Sequence, residues 1–253
     1  MQPAGDVAVI IPAHDEADRV VATVQAAGQL PGVDLVVVVD DGSYDDTARV
    51  ARVAGARVVR HDRNRGKGFA MSSGAEAVGL IEEHEGREGS AAKPRHLLFL
   101  DADLGWSAKE AAPLIEPVRT GQADMTVARF PANRLRLGGH GFVIRLARAG
   151  IRRATGYEPA QPLNGQRCLT RRAFEAARPL AHGFGAETAL TIDLLTKGFT
   201  VTEVEVPLEH RATGTDWRAQ VHRGRQFRDV ARALAVREMP PSVRRRLHTL
   251  RRV

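Results

Sequence analysis

The sequence predicts an α/β fold: a mostly parallel central sheet flanked by helices. Three observations predict it. Short runs of β-branched residues alternate along the chain with segments of helical spacing. The runs are apolar throughout rather than every second residue, as strands buried on both faces are. Three of the runs lead into acidic groups, at Asp15-Glu16 after Pro12-Ala13-His14, at Asp40-Asp41 and at Asp101-Ala102-Asp103. In an open parallel sheet the C-terminal edge is where ligands bind, so these acids gather at one functional edge. With 253 residues the chain is long enough for one large domain.

The elements follow in order. Val7–Ile11 is a first strand, and Asp15–Gln29 has helical spacing with Val20, Val24 and Ala27 on one face. Leu35–Val39 is a second strand, Thr47–Ala54 a short helix, Arg57–Val59 a third strand and Gly68–Glu85 a longer helix. Leu97–Leu100 is a fourth strand, followed by a helix over Ser107–Arg119 and a strand at Met125–Ala128. Glu85–Pro94 and Pro131–Gly141 are polar, glycine-containing loops. Phe142–Ala154 is amphipathic, with Phe142, Leu146 and Ala149 opposed by Arg145, Arg148 and Arg152, which favours a core-facing helix over a membrane-touching one. Val201–Leu208 alternates as a half-exposed strand does. Asp216–Val236 is a helix with Trp217, Val221, Phe227, Val230 and Leu234 on its apolar stripe, ended by Pro240-Pro241.

Composition narrows the function. No stretch reaches the ~18–20 apolar residues of a membrane span, and the start of the chain has no leader-like apolar segment. Cys168 is the single cysteine, which excludes an intrachain disulfide and a cysteine zinc site and fits a cytoplasmic protein. The net charge is +7, yet residues 218–253 hold 11 Arg against Asp229 and Glu238, so the first 217 residues carry −2. That segregated charge points to an anionic partner: a phospholipid surface, a phosphorylated substrate or nucleic acid.

The site candidates sit after the strands. Asp101 and Asp103 would repel each other unless a cation comes between them, and a divalent metal carrying a nucleotide diphosphate supplies one. The alternative is a strand end followed by a helix cap. Pro12-Ala13-His14-Asp15-Glu16 has none of the glycines of a dinucleotide-binding turn and offers acceptors for a base or ribose instead. In Asp40-Asp41-Gly42-Ser43, Gly42 allows a tight turn, Asp45 or Asp46 caps the next helix, and Asp40 and Asp41 can accept from a base N–H. Asn64-Arg65-Gly66-Lys67-Gly68 puts backbone N–H groups and a cation at a helix start, which suits a diphosphate.

Ile11–Glu16, Val39–Ser43, Asn64–Gly68 and Asp101–Asp103, in this order and spacing, resemble family 2 glycosyltransferases of the inverting type and their relatives with the GT-A fold. The resemblance covers roughly residues 6–130. It implies a nucleotide-sugar site lined by Pro12, Ala13, Glu16, Asp40 and Asp41, with Lys67 near the base or phosphates. It implies that Asp101-Ala102-Asp103 is a DxD-type element for Mg²⁺ or Mn²⁺, Asp103 being the direct ligand and Asp101 facing the ribose. Leu163-Asn164-Gly165-Gln166-Arg167 and Gly183-Phe184-Gly185-Ala186-Glu187 look like the acceptor half of polyprenyl-phosphate sugar transferases and of glucosyl-3-phosphoglycerate synthases. By this likeness Asn164, Gly165, Arg167 and Glu187 contact the acceptor. Glu187 deprotonates or orients a hydroxyl, and Arg167 binds an acceptor phosphate. His210, after the strand ending Val206-Pro207-Leu208, completes the metal site in several such relatives.

The expected organisation is a domain over 1–215, with a nucleotide-sugar half to residue 130 and an acceptor half over 131–215, then a basic helix and tail over 216–253. The expected chemistry is transfer of a sugar from a nucleotide diphosphate donor to an anionic acceptor, a polyprenyl phosphate or a small phosphorylated or carboxylated molecule. Catalytic roles fall to Asp103, Glu187 and Lys67. A peripheral contact with an anionic membrane is expected and nucleic acid is not. The rivals are a nucleotidyltransferase, which would carry a Gly- and Arg-rich loop after the first strand, and a non-catalytic module binding membrane or nucleic acid through the tail. Such a module has no reason to end three strands in acids.

Overall fold

The computed structural model describes residues 6–86, 94–131, 141–208 and 217–238. Seven strands form one sheet in the order β3-β2-β1-β4-β6-β5-β7. They are β1 (Val7–Ala13), β2 (Val33–Asp40), β3 (Arg57–Arg60), β4 (His96–Phe99), β5 (Met125–Arg129), β6 (Arg167–Leu169) and β7 (Val201–Glu205). All pairings are parallel except those of β6, which runs antiparallel to both β4 and β5.

The apolar runs form strands because the pleat sends their side chains alternately into two separate cores. From β1, Val7, Val9, Ile11 and Ala13 enter one, under α1 (Val20–Ala27) and a 3-10 helix over Gly105–Leu114. Ala8 and Ile10 enter the other, under α3 (Lys67–His84), α6 (Arg171–Ala177) and α7 (Ala186–Thr196). Cys168 on β6 is buried in the first core, and burial pushes its thiol up. A third cluster joins α5 (Gly141–Thr155), α7 and α8 (Trp217–Glu238) through Val143, Ala147, Ile151, Ile192, Val230 and Leu234. The basic C-terminal helix is thus packed into the body, and no described helix is long and apolar enough to cross a membrane.

Several elements differ from expectation for identifiable reasons. The first helix begins at Val20, not Asp15. Before it, the N–H groups of Asp15, Glu16 and Ala17 bond Ser43 Oγ, Thr47 Oγ1 and Asp45 Oδ2 from the loop after β2, and Asp15 has φ +56°. Cross-loop bonds have replaced helical ones. Ser107–Arg119 is a 3-10 helix followed by a single α turn, α4 (Glu116–Arg119). Pro113 and Pro117 lack the N–H that a continuous α-helix needs. β7 ends at Glu205, two residues before Pro207. On α5 the core face is Val143, Ala147, Gly150 and Ile151, while Phe142 and Ala149 are exposed. At the start of α2 (Thr47–Val53) the N-cap residue Asp46 makes no side-chain cap bond, and Asp45 Oδ1 accepts from Thr47 N at 3.0 Å instead. The loops at 87–93 and 132–140, His210 and the tail from residue 239 lie outside the described residues.

Candidate active site

Each acidic turn sits where a strand ends. Ala13 and Asp40 are level across β1 and β2, and Leu100 N bonds Ile10 O at 3.1 Å, so three strands deliver their following residues to one edge. Because β6 is antiparallel, its beginning comes to that same edge, with Arg167 opposite Phe99. Asn164, Gly165 and Gln166 therefore lie beside Asp101. α3 and α7 point their N-termini there too, bringing Lys67 and Glu187.

At the centre, Lys67 Nζ lies 2.6 Å from Asp101 Oδ1 and 3.0 Å from Glu187 Oε1. Burial disfavours the ammonium, but Asp101 and Glu187 outweigh it and hold the lysine well above its usual value. The other Asp101 oxygen accepts from Gln166 Nε2 at 2.7 Å. Gly165 closes over the pair so tightly that a Cβ there would lie 2.3 Å from Lys67 Nζ and 3.0 Å from Asp101 Oδ1. A side chain at 165 would therefore have to displace the Lys67 ammonium from Asp101. The carboxylates of Asp101 and Glu187 are thus joined by one cation. Glu187, on the first turn of α7, also faces the positive end of that helix.

Asp41 organises the neighbouring wall. Its carboxylate accepts from Arg65 N at 2.8 Å, Gly66 N at 2.7 Å and His61 Nδ1 at 2.7 Å. His61 Nε2 is 3.0 Å from Ser73 Oγ on α3. Asp41 therefore sets the turn that aims Lys67. Asp40, fully buried, accepts from Ser43 N at 2.9 Å and lies 3.3 Å from Arg60 Nε. Gly42 has φ +74°, and a Cβ there would meet Arg63 backbone at 2.4 Å, so this turn requires glycine.

The Asp101–Asp103 turn is held from α1. Thr23 Oγ1 donates to Ala102 O and accepts from Gly105 N, both at 2.8 Å. Asp103 follows, half-buried. Burial raises the Glu16 carboxyl, the Arg19 guanidinium pulls it back, and the charge of Asp103 adds to the rise. Two carboxylates from β1 and β4 thus feel each other. Asp101 is committed to Lys67 and Gln166, which leaves Asp103 as the hard oxygen donor facing this negative region. Among the described residues, no three acidic, His or Cys side chains cluster closely enough to hold a metal alone. The donor set fits a divalent ion that takes its remaining ligands from phosphate oxygens.

The geometry gives Arg167 a different task from the phosphate contact expected of it. It is fully buried on β6. Its Nε donates to Asn164 O at 2.8 Å, Nη1 to Glu187 O at 3.0 Å and Thr191 Oγ1 at 2.9 Å, and Nη2 to Pro162 O at 3.2 Å. Burial lowers its pKa to about 10, with Glu187 pulling the other way. The guanidinium ties the Asn164–Gln166 turn to α7, so it positions the site without reaching it. Arg167→Met is expected to orphan these carbonyls and to lower stability by about 3–5 kcal/mol. A urea titration reads this as a lower midpoint at unchanged slope.

Pro12 and Ala13 line the edge where the nucleoside was expected, Ala13 O accepting from Asp41 N at 2.8 Å. Asn164 Oδ1 accepts from Gln166 N at 3.0 Å and shapes the turn. Gln166, Thr23 and His61 carry roles that sequence reasoning did not assign. Only Gln166 stood inside a motif, between Gly165 and Arg167.

Residues 8–80 match the model of Glycosyl transferase family 2. Glycosyltransferase AglJ of Haloferax volcanii is 29% identical over 217 residues, which is 83% of this chain and 65% of that protein. The chain has the fold of the GT-A glycosyltransferases. Glucosyl-3-phosphoglycerate synthase of Mycolicibacterium paratuberculosis is 29% identical over 210 residues, 74% of this chain and 59% of that one. The chain thus spans less than two thirds of either relative's length. The crystal structure of glucosyl-3-phosphoglycerate synthase from Mycobacterium tuberculosis with phosphoglyceric acid superposes with a TM-score of 0.72 at 26% identity, covering 94% of this chain and 82% of that one. The same enzyme with Mg²⁺ and uridine diphosphate gives 0.71 at 24% identity, covering 94% and 81%.

Proposed function

We propose that the chain transfers a sugar from a nucleotide diphosphate sugar to an anionic acceptor, with a divalent metal bound. The observation that carries this reading is the junction of Asp101, Lys67 and Glu187, where the donor half over 1–130 meets the acceptor half over 131–215. Relatives bound to uridine diphosphate with Mg²⁺, and to phosphoglyceric acid, support the donor, metal and acceptor classes.

In this reading the bond from the anomeric carbon to the diphosphate breaks while an acceptor oxygen bonds that carbon. Asp103, with His210 as a second protein ligand, would hold Mg²⁺ or Mn²⁺, which neutralises charge on the diphosphate. Lys67 places a fixed cation beside the leaving group. Asp41 keeps the Arg65-Gly66-Lys67 turn in place, and Gln166 holds Asp101 toward the ribose. Glu187 orients an acceptor hydroxyl or takes its proton. For a phosphate acceptor no proton need move, and Glu187 then positions Lys67. The acceptor is a polyprenyl phosphate or a small phosphorylated or carboxylated molecule, reached on the cytoplasmic side with the basic tail touching an anionic membrane.

The test is a thermal-shift panel of uridine and guanosine diphosphates and their sugars, with and without Mg²⁺ or Mn²⁺. Ligand at 100 times its Kd should add about 2.7 kcal/mol, which is a rise of several degrees, and only with metal present. A folded sample that shifts with none of them overturns the proposal and favours a non-catalytic binding module.

A further inference from the structure

α5 and α8 lie side by side in the same direction, Phe142 against Phe227 near one end and Gly150 against Leu234 near the other. Their outer seam is an apolar groove of about 440 Å³ lined by Leu146, Ala149, Gly150, Leu234, Arg152 and Arg153. Phe142 and Phe227 continue it, rings 5.4 Å apart and 61% and 38% exposed. Phe142, Leu146, Ala149 and Arg153 follow helical spacing, so the stripe runs ~16 Å along α5. It is a second apolar face, next to the one buried in the core.

The charge around this stripe is one-sided. α5 holds Arg145, Arg148, Arg152 and Arg153 and no acid. α8 holds six Arg against Asp229 and Glu238. Two of the carboxylates nearby are already matched: Glu158 lies 3.9 Å from Arg152, and Asp229 lies 3.4 Å from Arg228. Arg148 is bound to the carbonyls of Pro159 and Ala160. Arg145, Arg152, Arg153, Arg228 and Arg232 are all exposed beside the stripe and outnumber Glu158 and Asp229.

We propose that this face docks on an anionic phospholipid bilayer. Phe142 and Phe227 enter the headgroup layer, and the arginines meet the lipid phosphates. Charge complementarity names the partner, and the aliphatic centre of the stripe favours a bilayer over nucleic acid, which would want hydrogen-bonding groups there. The inference rests on the proposed membrane contact and assigns that contact to the helix pair, with the tail as an accessory.

The experiment is flotation of the full chain with vesicles of phosphatidylcholine alone and of phosphatidylcholine mixed with phosphatidylglycerol. It is repeated for Phe142→Ser with Phe227→Ser, for Arg145→Glu with Arg232→Glu, and for a chain ending at Glu238. The truncation starts after Glu238 because Arg237 Nε bonds Asp193 Oδ1 at 3.1 Å in the interior. Circular dichroism and the thermal midpoint confirm that each variant is folded. The expected result is flotation with the mixed vesicles only, weakened about tenfold or more by either double substitution and only partly by truncation. If the full chain floats but both double variants float equally well, or truncation alone abolishes flotation, the helix pair is not the docking face. If the full chain floats with neither vesicle, or binds an oligonucleotide instead, the membrane contact itself is wrong. The sugar-transfer reading is judged separately by the nucleotide thermal shift.

Discussion

Replacing Lys67 with methionine is expected to lower kcat/KM by about 100- to 1,000-fold and to destabilise the fold as well. The ammonium joins Asp101 and Glu187 at 2.6 and 3.0 Å, and Glu187 is 4% exposed. Without the lysine, two carboxylates face each other in a site closed over by Gly165, and neither the leaving diphosphate nor the acceptor meets a cation there. Breaking a buried pair from one side costs up to about 3–5 kcal/mol. Lys67→Arg is not expected to restore the rate, because a planar guanidinium cannot occupy the compact ammonium's place between Asp101 Oδ1 and Glu187 Oε1. The pH dependence has a definite sign. The folded-state pKa of Lys67 is raised. Its stabilising contribution is therefore fully present below the ordinary lysine value of about 10.4 and fades only as pH rises beyond it. The gap in melting temperature between the parent chain and Lys67→Met should stay constant from pH 7 to about pH 10 and narrow above. A variant with normal turnover would remove Lys67 from the mechanism, and a gap that fails to narrow above about pH 10 would contradict the ion-pair account.

What was legible in the sequence follows from how each element is buried. β1, β2 and β4 are enclosed on both faces, so they read as unbroken apolar runs, and the acids that follow them could only lie at one edge. β6 gave no such signal. It has three residues, one of them a fully buried arginine whose charge is satisfied by the nearby carbonyls of Pro162 and Asn164 and, from α7, by Glu187 O and Thr191 Oγ1. α7 is buried on nearly every side yet carries Thr188, Thr191 and Asp193, so no amphipathic period marks it. The role of Gln166 depends on the antiparallel return of β6, which places it beside Asp101 from 65 residues away. The Phe142–Leu146–Ala149 stripe was visible, but helical spacing alone does not say which of two adjacent apolar faces meets the core. Packing against Ile192 and Leu234 selects the face of Val143, Ala147 and Ile151. Motifs therefore singled out Asp101, Lys67 and Glu187, and the fold brings their side chains into contact.

The two aspartates of the DxD-type element should respond differently to substitution, and Asp103 should give the cleaner loss. Asp101 is bound on one oxygen by Lys67 and on the other by Gln166. Changing it to asparagine disturbs Lys67 and, through it, Glu187, so rate, stability and nucleotide binding fall together. Asp103 belongs to a turn held by Thr23 through the Ala102 carbonyl and the Gly105 N–H, contacts its side chain does not make. Asp103→Asn should therefore leave the melting temperature of the free protein within about 1–2 °C. It should lower metal-dependent turnover by about 1,000-fold or more. It should also abolish the extra thermal shift that Mg²⁺ or Mn²⁺ gives with a nucleotide diphosphate, while any metal-independent shift survives. Loss of Asp103 also removes a charge that raises the Glu16 carboxyl, so in the free protein that carboxyl should titrate at lower pH by NMR. This last readout needs neither donor nor metal. If Asp103→Asn keeps full metal-dependent activity, the ion is held elsewhere. If activity falls but Glu16 titrates unchanged, the two carboxylates do not share the negative region that the cation is proposed to relieve.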